Sequence, residues 1–541
     1  MLPPGLRTPR AVVLYYDQVY FDLIDSHKAH PFLYPWGTLG AAFVILYLLL
    51  DHRKAPLLKA ARWSVFGLLC LFQGWCILTN RARHHASAFG VGLLSFWGTL
   101  WVASIMIAND CQMEFKRIEC RIKPSTANGD TPDGDTTAVN GTSSPKASQD
   151  SNLRQRRNLA PATRIYHNGT EYELFWQGFP NSFFARLDWV ADAFCSFRGV
   201  GWNWQTSGIP PPPAWVQAQL GNESNKDNTT HDSRMTMSRT GIRRFANRRD
   251  LFLDTIKSIA IAYIVLDLVV TLMHRDPYFY GYTQDPGPSY SYLTTWQSQT
   301  LTQIYRRLLS LTGIYIALFT IFKLGPLSFS CLLGPRFLGL RGEAWQNPAD
   351  MFGSFRLVMD KGLAGWWGGW WHQTFRFGFE APATALLDAM NIDKKSTLGR
   401  LVSLCIAFFL SGCVHACGSF TQLGDTRPLM GPMRFFLLQA GAIMVQTAFT
   451  HQLKSLCIME RCPQLLRQVT NVVVVHVWLY YTSPLLIDDF AQGGVWLFEP
   501  LPFSLLRGLG FGAPDDQFFA WWHGLFWWRT GEAWFDTGIA L

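Results

Sequence analysis

The chain has 541 residues, of which 49% are hydrophobic, 15% aromatic and 16% charged, whereas a soluble domain carries roughly 25% charge. That composition excludes an ordinary water-soluble domain and points to a polytopic membrane protein. The formal net charge of +9 suits loops facing an anionic leaflet; its basic residues are scattered rather than gathered on one element, so nucleic acid is not an expected partner.

In chain order, residues 1–20 hold Pro3, Pro4, Arg7, Arg10 and Asp17 without a continuous apolar core, and no cleavable signal peptide is expected there. Apolar stretches of the length that spans a bilayer follow at residues 35–50, 63–78, 88–108, 256–273, 308–322, 401–418, 433–450 and 471–487. The expected fold is all-α: an integral, multi-pass bundle of about eight transmembrane helices, in a range of about 7–10, enclosing a reaction chamber. Lys and Arg cluster after the first span (Arg53, Lys54, Lys59, Arg62) and after the third (Lys116, Arg117, Arg121, Lys123, then Arg239, Arg243, Arg244, Arg248, Arg249). The positive-inside rule puts both segments in the cytosol and the N-terminus in the lumen.

Three regions are expected on this basis: N-terminal helices at 1–108, a cytosolic loop at 109–250, and a core at 251–541. Within the loop, tracts 124–157 and 221–239 are poor in aliphatics and rich in Ser, Thr, Asn, Asp and Gly, a composition that favours disorder, with an ordered island at 172–215 between them. Four glycosylation sequons, at Asn140, Asn168, Asn222 and Asn228, are chance matches if the loop is cytosolic. Asp188 and Asp192 share the four-residue spacing of the acidic motifs of membrane prenyltransferases, but the surrounding Arg-Leu-Asp-Trp-Val-Ala-Asp-Ala-Phe reads as an amphipathic surface helix with a solvated acidic face. No repeat or Gly-rich phosphate loop is visible, which argues against ATP-driven pumping.

The 11 cysteines form no CxxC pair. Cys413, His415 and Cys417 alternate along one helix and point about 200° apart, so no metal site is expected. His415 lies inside the apolar run 401–418 and His372 inside the aromatic cluster Trp366-Trp367-Gly-Gly-Trp370-Trp371-His372-Gln373. An imidazole at membrane depth is a functional-site candidate, because an apolar residue there would cost nothing. Ser411 precedes His415 by one helical turn, where its hydroxyl can fix the ring tautomer, and Gly412 and Gly418 clear space beside the ring. The bland alternatives are a histidine satisfied by a neighbouring helix and an interfacial aromatic anchor.

This part of the chain resembles the membrane-bound O-acyltransferase superfamily, in its wax-synthase-like fungal branch. The resemblance rests on Glu343-Ala-Trp345-Gln-Asn-Pro348, Phe352-Gly-Ser354, Trp367-Gly-Gly-Trp370-Trp371-His372-Gln373 and Phe409-Leu-Ser411-Gly412-Cys-Val-His415. Looser matches are Arg198-Gly-Val-Gly-Trp202, Asp276-Pro-Tyr-Phe279 and Glu499 with Arg507-Gly-Leu-Gly510. The basic residues common before the Trp-rich segment are replaced here by Leu363-Ala364-Gly365.

The resemblance implies transfer of an acyl group from acyl-CoA, with acetyl-CoA first in rank, to a hydroxyl of a lipophilic acceptor such as a terpenoid, in the endoplasmic reticulum. No resident cofactor is implied; acyl-CoA is a cosubstrate. His415 would be the general base, with His372 or the Gln373 amide donating to the thioester oxyanion and Trp371 and Ser411 supporting the site. Arg341, Lys361 or Arg376 would meet the CoA phosphates. Partners are then the acceptor alcohol, acyl-CoA and membrane lipid, while the oligomeric state stays open. The alternatives are a wax-ester synthase using a long-chain acyl-CoA and a fatty alcohol, and a transporter in which His415 lines a permeation path.

Overall fold

The computed structural model describes residues 2–122, 165–167, 170–221, 235–285 and 299–541. The four sequons, tract 124–157 and most of tract 221–239 lie outside the described residues. The main helices are α1 (Pro9–Asp25), α2 (Leu39–Leu49), α3 (Arg62–Thr79), α4 (His85–Val102), α5 (Phe183–Cys195), α6 (Arg248–His274), α7 (Gln299–Pro326), α8 (Arg356–Gly365), α9 (Arg376–Ala389), α10 (Thr397–Phe420), α11 (Arg434–Ser455), α12 (Gln464–Thr482) and α13 (Pro484–Gly493). Several begin on side-chain caps. The Ser396 hydroxyl accepts from the Gly399 amide at 2.9 Å to start α10, and the Asn247 side chain accepts from the Asp250 amide at 2.9 Å to start α6.

Among the described residues, five helical segments are long and apolar enough to cross a membrane: Pro56–Thr79, His85–Ile107, Arg248–His274, Gln299–Gly342 and Thr397–Phe420. The pair Gln464–Thr482 and Pro484–Gly493, bent by 43°, makes a sixth if it counts as one span. This is fewer than the eight expected. Residues 35–50 yield only the short apolar helix Trp36–Leu49, about 21 Å long at 1.5 Å per residue against a hydrocarbon core of about 30 Å. Helix α11 is 22 residues long, but Arg434, Gln439, Gln446 and His451 dilute its apolar run. Many outward side chains are large and apolar, among them Leu71 at 73% and Val445 at 70% exposure. Water would penalise such a surface and lipid solvates it.

Strand pairing occurs outside the bundle. β1 (Leu33–Tyr34) pairs with β6 (Gly538–Ala540), which also pairs with β5 (Trp527–Arg529), with Ile539 opposite Tyr34, so both ends of the chain meet at one end of the bundle. β2 (Arg117–Ile122) pairs antiparallel with β4 (Thr170–Gln177), which pairs with β3 (Ile165–His167). Near this sheet, Asp188 of α5 is exposed, as expected, and Asp192 is half-buried, but both are engaged in ion pairs. Arg117 reaches them at 2.6 and 2.9 Å, and Arg341 bonds Asp188 at 2.5 Å. The helical period of α5 is visible locally, whereas both arginine partners are distant in sequence.

Buried ion pairs lock the core helices together. Asp276, fully buried, receives Arg306 of α7 at 2.7 and 2.8 Å. Arg243 binds Asp350 at 2.8 Å and Asp254 at 2.7 Å, and Lys323, 2% exposed, completes the cluster on Asp254 at 3.1 Å. Removing one member of such a pair leaves a buried charge, which explains why the set is complete. Helices α4 and α10 approach closely at Gly92: a Cβ there would collide with the Cys417 carbonyl, and the Gly92 amide instead donates to Thr421 Oγ1 at 3.0 Å.

Candidate active site

His415 lies five residues from the end of α10. Its Nδ1 donates to the Ser411 backbone carbonyl at 2.8 Å. A carbonyl only accepts, so the proton sits on Nδ1 and Nε2 presents a lone pair. The tautomer is therefore set by the Ser411 backbone and not, as expected from the sequence, by its hydroxyl. The ring leans on Phe436 with centroids 4.5 Å apart. Gly412 and Gly418 are explained by packing: a Cβ at Gly412 would sit 2.7 Å from Met433 Sδ, and one at Gly418 would sit 2.7 Å from the Phe89 ring. Both make room for neighbouring segments rather than for a substrate.

His372 is placed by an irregular turn. α8 is broken at Gly362, whose φ of 57° suits glycine and whose missing side chain leaves room for the Gln446 amide. The Leu363 amide donates to Gln446 Oε1 at 2.9 Å, and a π-turn over Trp366–Trp370 follows. Gln373 closes this turn by donating both amide protons, to the Trp367 carbonyl at 2.9 Å and the Trp371 carbonyl at 2.7 Å. Those donors are thereby occupied, so in this arrangement Gln373 braces the turn. Rings of Phe322, Phe352, Trp371 and Phe375 surround His372, and its Nδ1 is buried without a hydrogen-bond partner. Burial, and then the charge His415 would carry, hold His372 well below the ordinary imidazole range, at about 3. It is neutral near pH 7 and keeps one N–H to donate.

Both histidines line one cavity of about 1750 Å³, walled mainly by apolar side chains of α4, α6, α7, α10, α11, α12 and α13. Trp371, Gln373, Ser411 and Arg376 line it too. Of the three candidate phosphate contacts, only Arg376 reaches the cavity, and it is paired with Glu380 at 2.6 Å. Arg341 is committed to Asp188, and Lys361 is exposed on α8, away from the cavity lining.

The cavity also holds side chains that the sequence reading passed over: Arg307, Arg400 and His476. His476 of α12 repeats the His415 geometry, its Nδ1 donating to the Val472 carbonyl at 2.8 Å, but it is exposed. Arg307 and His476 sit in apolar helices, and that position was the available signal. Gln439 was also missed. Fully buried on α11, it accepts from Trp367 at 3.4 Å and Trp478 at 3.0 Å and donates to Thr482 at 3.2 Å, tying the aromatic turn to α12.

Residues 348–438, which include both His372 and His415, match the family described as membrane bound O-acyl transferase. Over those residues the chain is similar to that family, and among the described residues it carries five helices long and apolar enough to cross a membrane. Among its curated relatives, it is 28% identical to an O-mevalon transferase of Aspergillus niger over 284 residues, covering 48% of this chain and 52% of that protein. It is 22% identical to an acetyltransferase of Aspergillus fumigatus over 342 residues, 62% of this chain and 72% of that protein. An acetyltransferase of Hericium erinaceus is 30% identical over 145 residues, 26% of this chain and 36% of that protein. These relatives are all fungal, and the chain spans about half the length of the first of them. No solved structure matches it.

Proposed function

We propose that the protein is an acyl-CoA:alcohol O-acyltransferase of the endoplasmic reticulum that moves a short acyl group, acetyl first, onto a hydroxyl of a lipophilic acceptor such as a terpenoid. The observation that carries this reading is the shared cavity, which is lined by His415 with an unprotonated Nε2 and by a neutral His372 whose Nδ1 is shielded from solvent. An alcohol is a weak nucleophile with a high pKa, so attack on a thioester needs a positioned base. His415 Nε2 takes the alcohol proton as the oxygen attacks the acyl carbon. The carbonyl oxygen becomes an oxyanion that His372 faces as donor, and collapse expels the CoA thiolate, which leaves with the proton. No covalent acyl-enzyme is needed, because the thioester is already activated. Arg376 and Arg400 are the cavity cations suited to the CoA phosphates.

The names of the acetyltransferase relatives support acetyl as the group moved. Those named O-mevalon transferases favour a second reading, in which a mevalonyl unit takes its place. The test is to incubate microsomes carrying the protein with labelled acetyl-CoA and a panel of terpenoid alcohols. Labelled ester is the expected product. Ester formed only from long-chain acyl-CoA would replace this reading with wax-ester synthesis, and no ester from any donor would favour transport.

A further inference from the structure

Two adjacent arginines of α7 have opposite fates. Arg306 is closed onto Asp276 inside the protein. Arg307, about 100° further round the helix, lines the central cavity with its guanidinium stacked 4.1 Å over the Tyr480 ring. Its Nε and Nη1 are shielded from solvent and have no hydrogen-bond partner. A guanidinium stays charged under all ordinary conditions, and buried donors without an acceptor are costly and uncommon. The nearby carboxylate of Asp488 bears on Arg307 through space, but one of its oxygens accepts from the Tyr278 hydroxyl at 2.5 Å. Packing against Tyr480 accounts for the stem and the face of the guanidinium and leaves those N–H groups unexplained.

The position of Arg307 narrows what would satisfy it. Asp488 and Asp489 of α13 bond the Tyr278 hydroxyl and the Arg427 amide, which places the Tyr480 end of the cavity beside the Phe420 end of α10. Arg400 stands at the other end of α10, fifteen residues and about 22 Å of helix before His415. A CoA phosphate held by Arg400 and a thioester at His415 would fill that half. The Arg307 half is left for the acceptor.

We propose that Arg307 is an anion-recognition site, and that the preferred acceptor is a lipophilic hydroxy acid whose carboxylate lies at the end remote from the hydroxyl that is acylated. This rests on the acyltransferase reading for its account of the hydroxyl, but the anion site stands on the cavity itself. In an apolar chamber, one fixed cation with unspent donors separates a carboxylate from its neutral ester sharply, because each imposes an unpaired group on the other's site.

The test is equilibrium binding of tritiated lithocholate and of its methyl ester to the purified full chain in nanodiscs. Lithocholate carries a hydroxyl and a carboxylate at opposite ends of a rigid apolar body. The wild type and H415A are expected to bind the acid about 10- to 100-fold more tightly than the ester. R307Q should lose that preference while binding the ester normally, and R307K should keep part of it. Equal binding of acid and ester by the wild type, a preference that survives in R307Q, or equal weakening of both ligands in R307Q and R307K would each overturn the proposal. The last pattern is that of a structural anchor. Acyl transfer measured in parallel reads the other question: an acid preference without any ester product would sink the acyltransferase reading and leave the anion site in place.

Discussion

Replacing His415 with alanine tests the chemistry most directly. The imidazole is held at Nδ1 by the Ser411 carbonyl, which leaves Nε2 as a lone pair on a ring that lines the same cavity as His372. A positioned general base contributes about 10²- to 10⁴-fold, or about 2.7–5.4 kcal/mol at 1.36 kcal/mol per decade. The competing effect is loss of fold. His415 already borders the cavity, so truncation enlarges an existing space instead of opening a new one, and the ring contact with Phe436 is worth about 0.5–1.5 kcal/mol. The catalytic loss therefore exceeds the structural one by a clear margin. In microsomes assayed with labelled acetyl-CoA, H415A should retain at most about one percent of turnover, with unchanged protein level in the membrane fraction. More than that residual activity, with the protein intact, would refute the assignment of the base. His372→Ala, acting on the oxyanion, should lower the rate less.

Three further outcomes are expected. His476→Ala should change turnover by less than about threefold, since this exposed ring lacks the His372 partner; a loss as large as that expected of H415A would move the base to α12. Asp276→Asn should uncompensate the buried Arg306 and cost about 3–5 kcal/mol, read as a fall of several degrees in the apparent Tm in detergent; an unchanged Tm would show the pair to be dispensable. Asp110 gives a pH-dependent test. Burial works against its charge, yet hydrogen bonds from His52 and Lys59 hold its carboxyl down at about 2. A depressed carboxylate pKa contributes stability that is complete above the ordinary range near 4 and is lost as pH falls through 2. Asp110→Asn should therefore cost about 1–2 kcal/mol at pH 5 and roughly half of that at pH 3. A cost that grew on acidification would contradict the ion cluster.

Helical periodicity and apolar runs are local properties, so α10 was legible to within four residues, whereas for α6 and α7 only the apolar middle was, each helix starting eight or nine residues earlier than its apolar run. The span count was less legible: among the described residues, residues 35–50 and α11 fall short, by a few residues of length or a few polar side chains, of the segments that are long and apolar enough to cross a membrane. His415 and His372 could be singled out for a local reason too: each is a polar group in an apolar or aromatic setting. Partners were another matter. That Arg341 belongs to Asp188, that Gln373 spends its amide on the Trp367 and Trp371 carbonyls, and that Arg376 alone of three basic candidates reaches the cavity are consequences of chain reversal over tens to hundreds of residues.

By itself, the order of residues showed apolar runs of membrane-spanning length, two costly imidazoles and a motif around them that resembles one family. Those properties follow from composition, hydrophobic runs and short-range spacing, which need no knowledge of what packs against what. The tertiary structure alone decided that both imidazoles line one cavity, which nitrogen of His415 is free, and that of two neighbouring arginines one is spent on Asp276 while the other faces the cavity. A side chain's chemistry is inherited from its residue type, but its availability depends on which neighbours the fold brings within hydrogen-bonding distance.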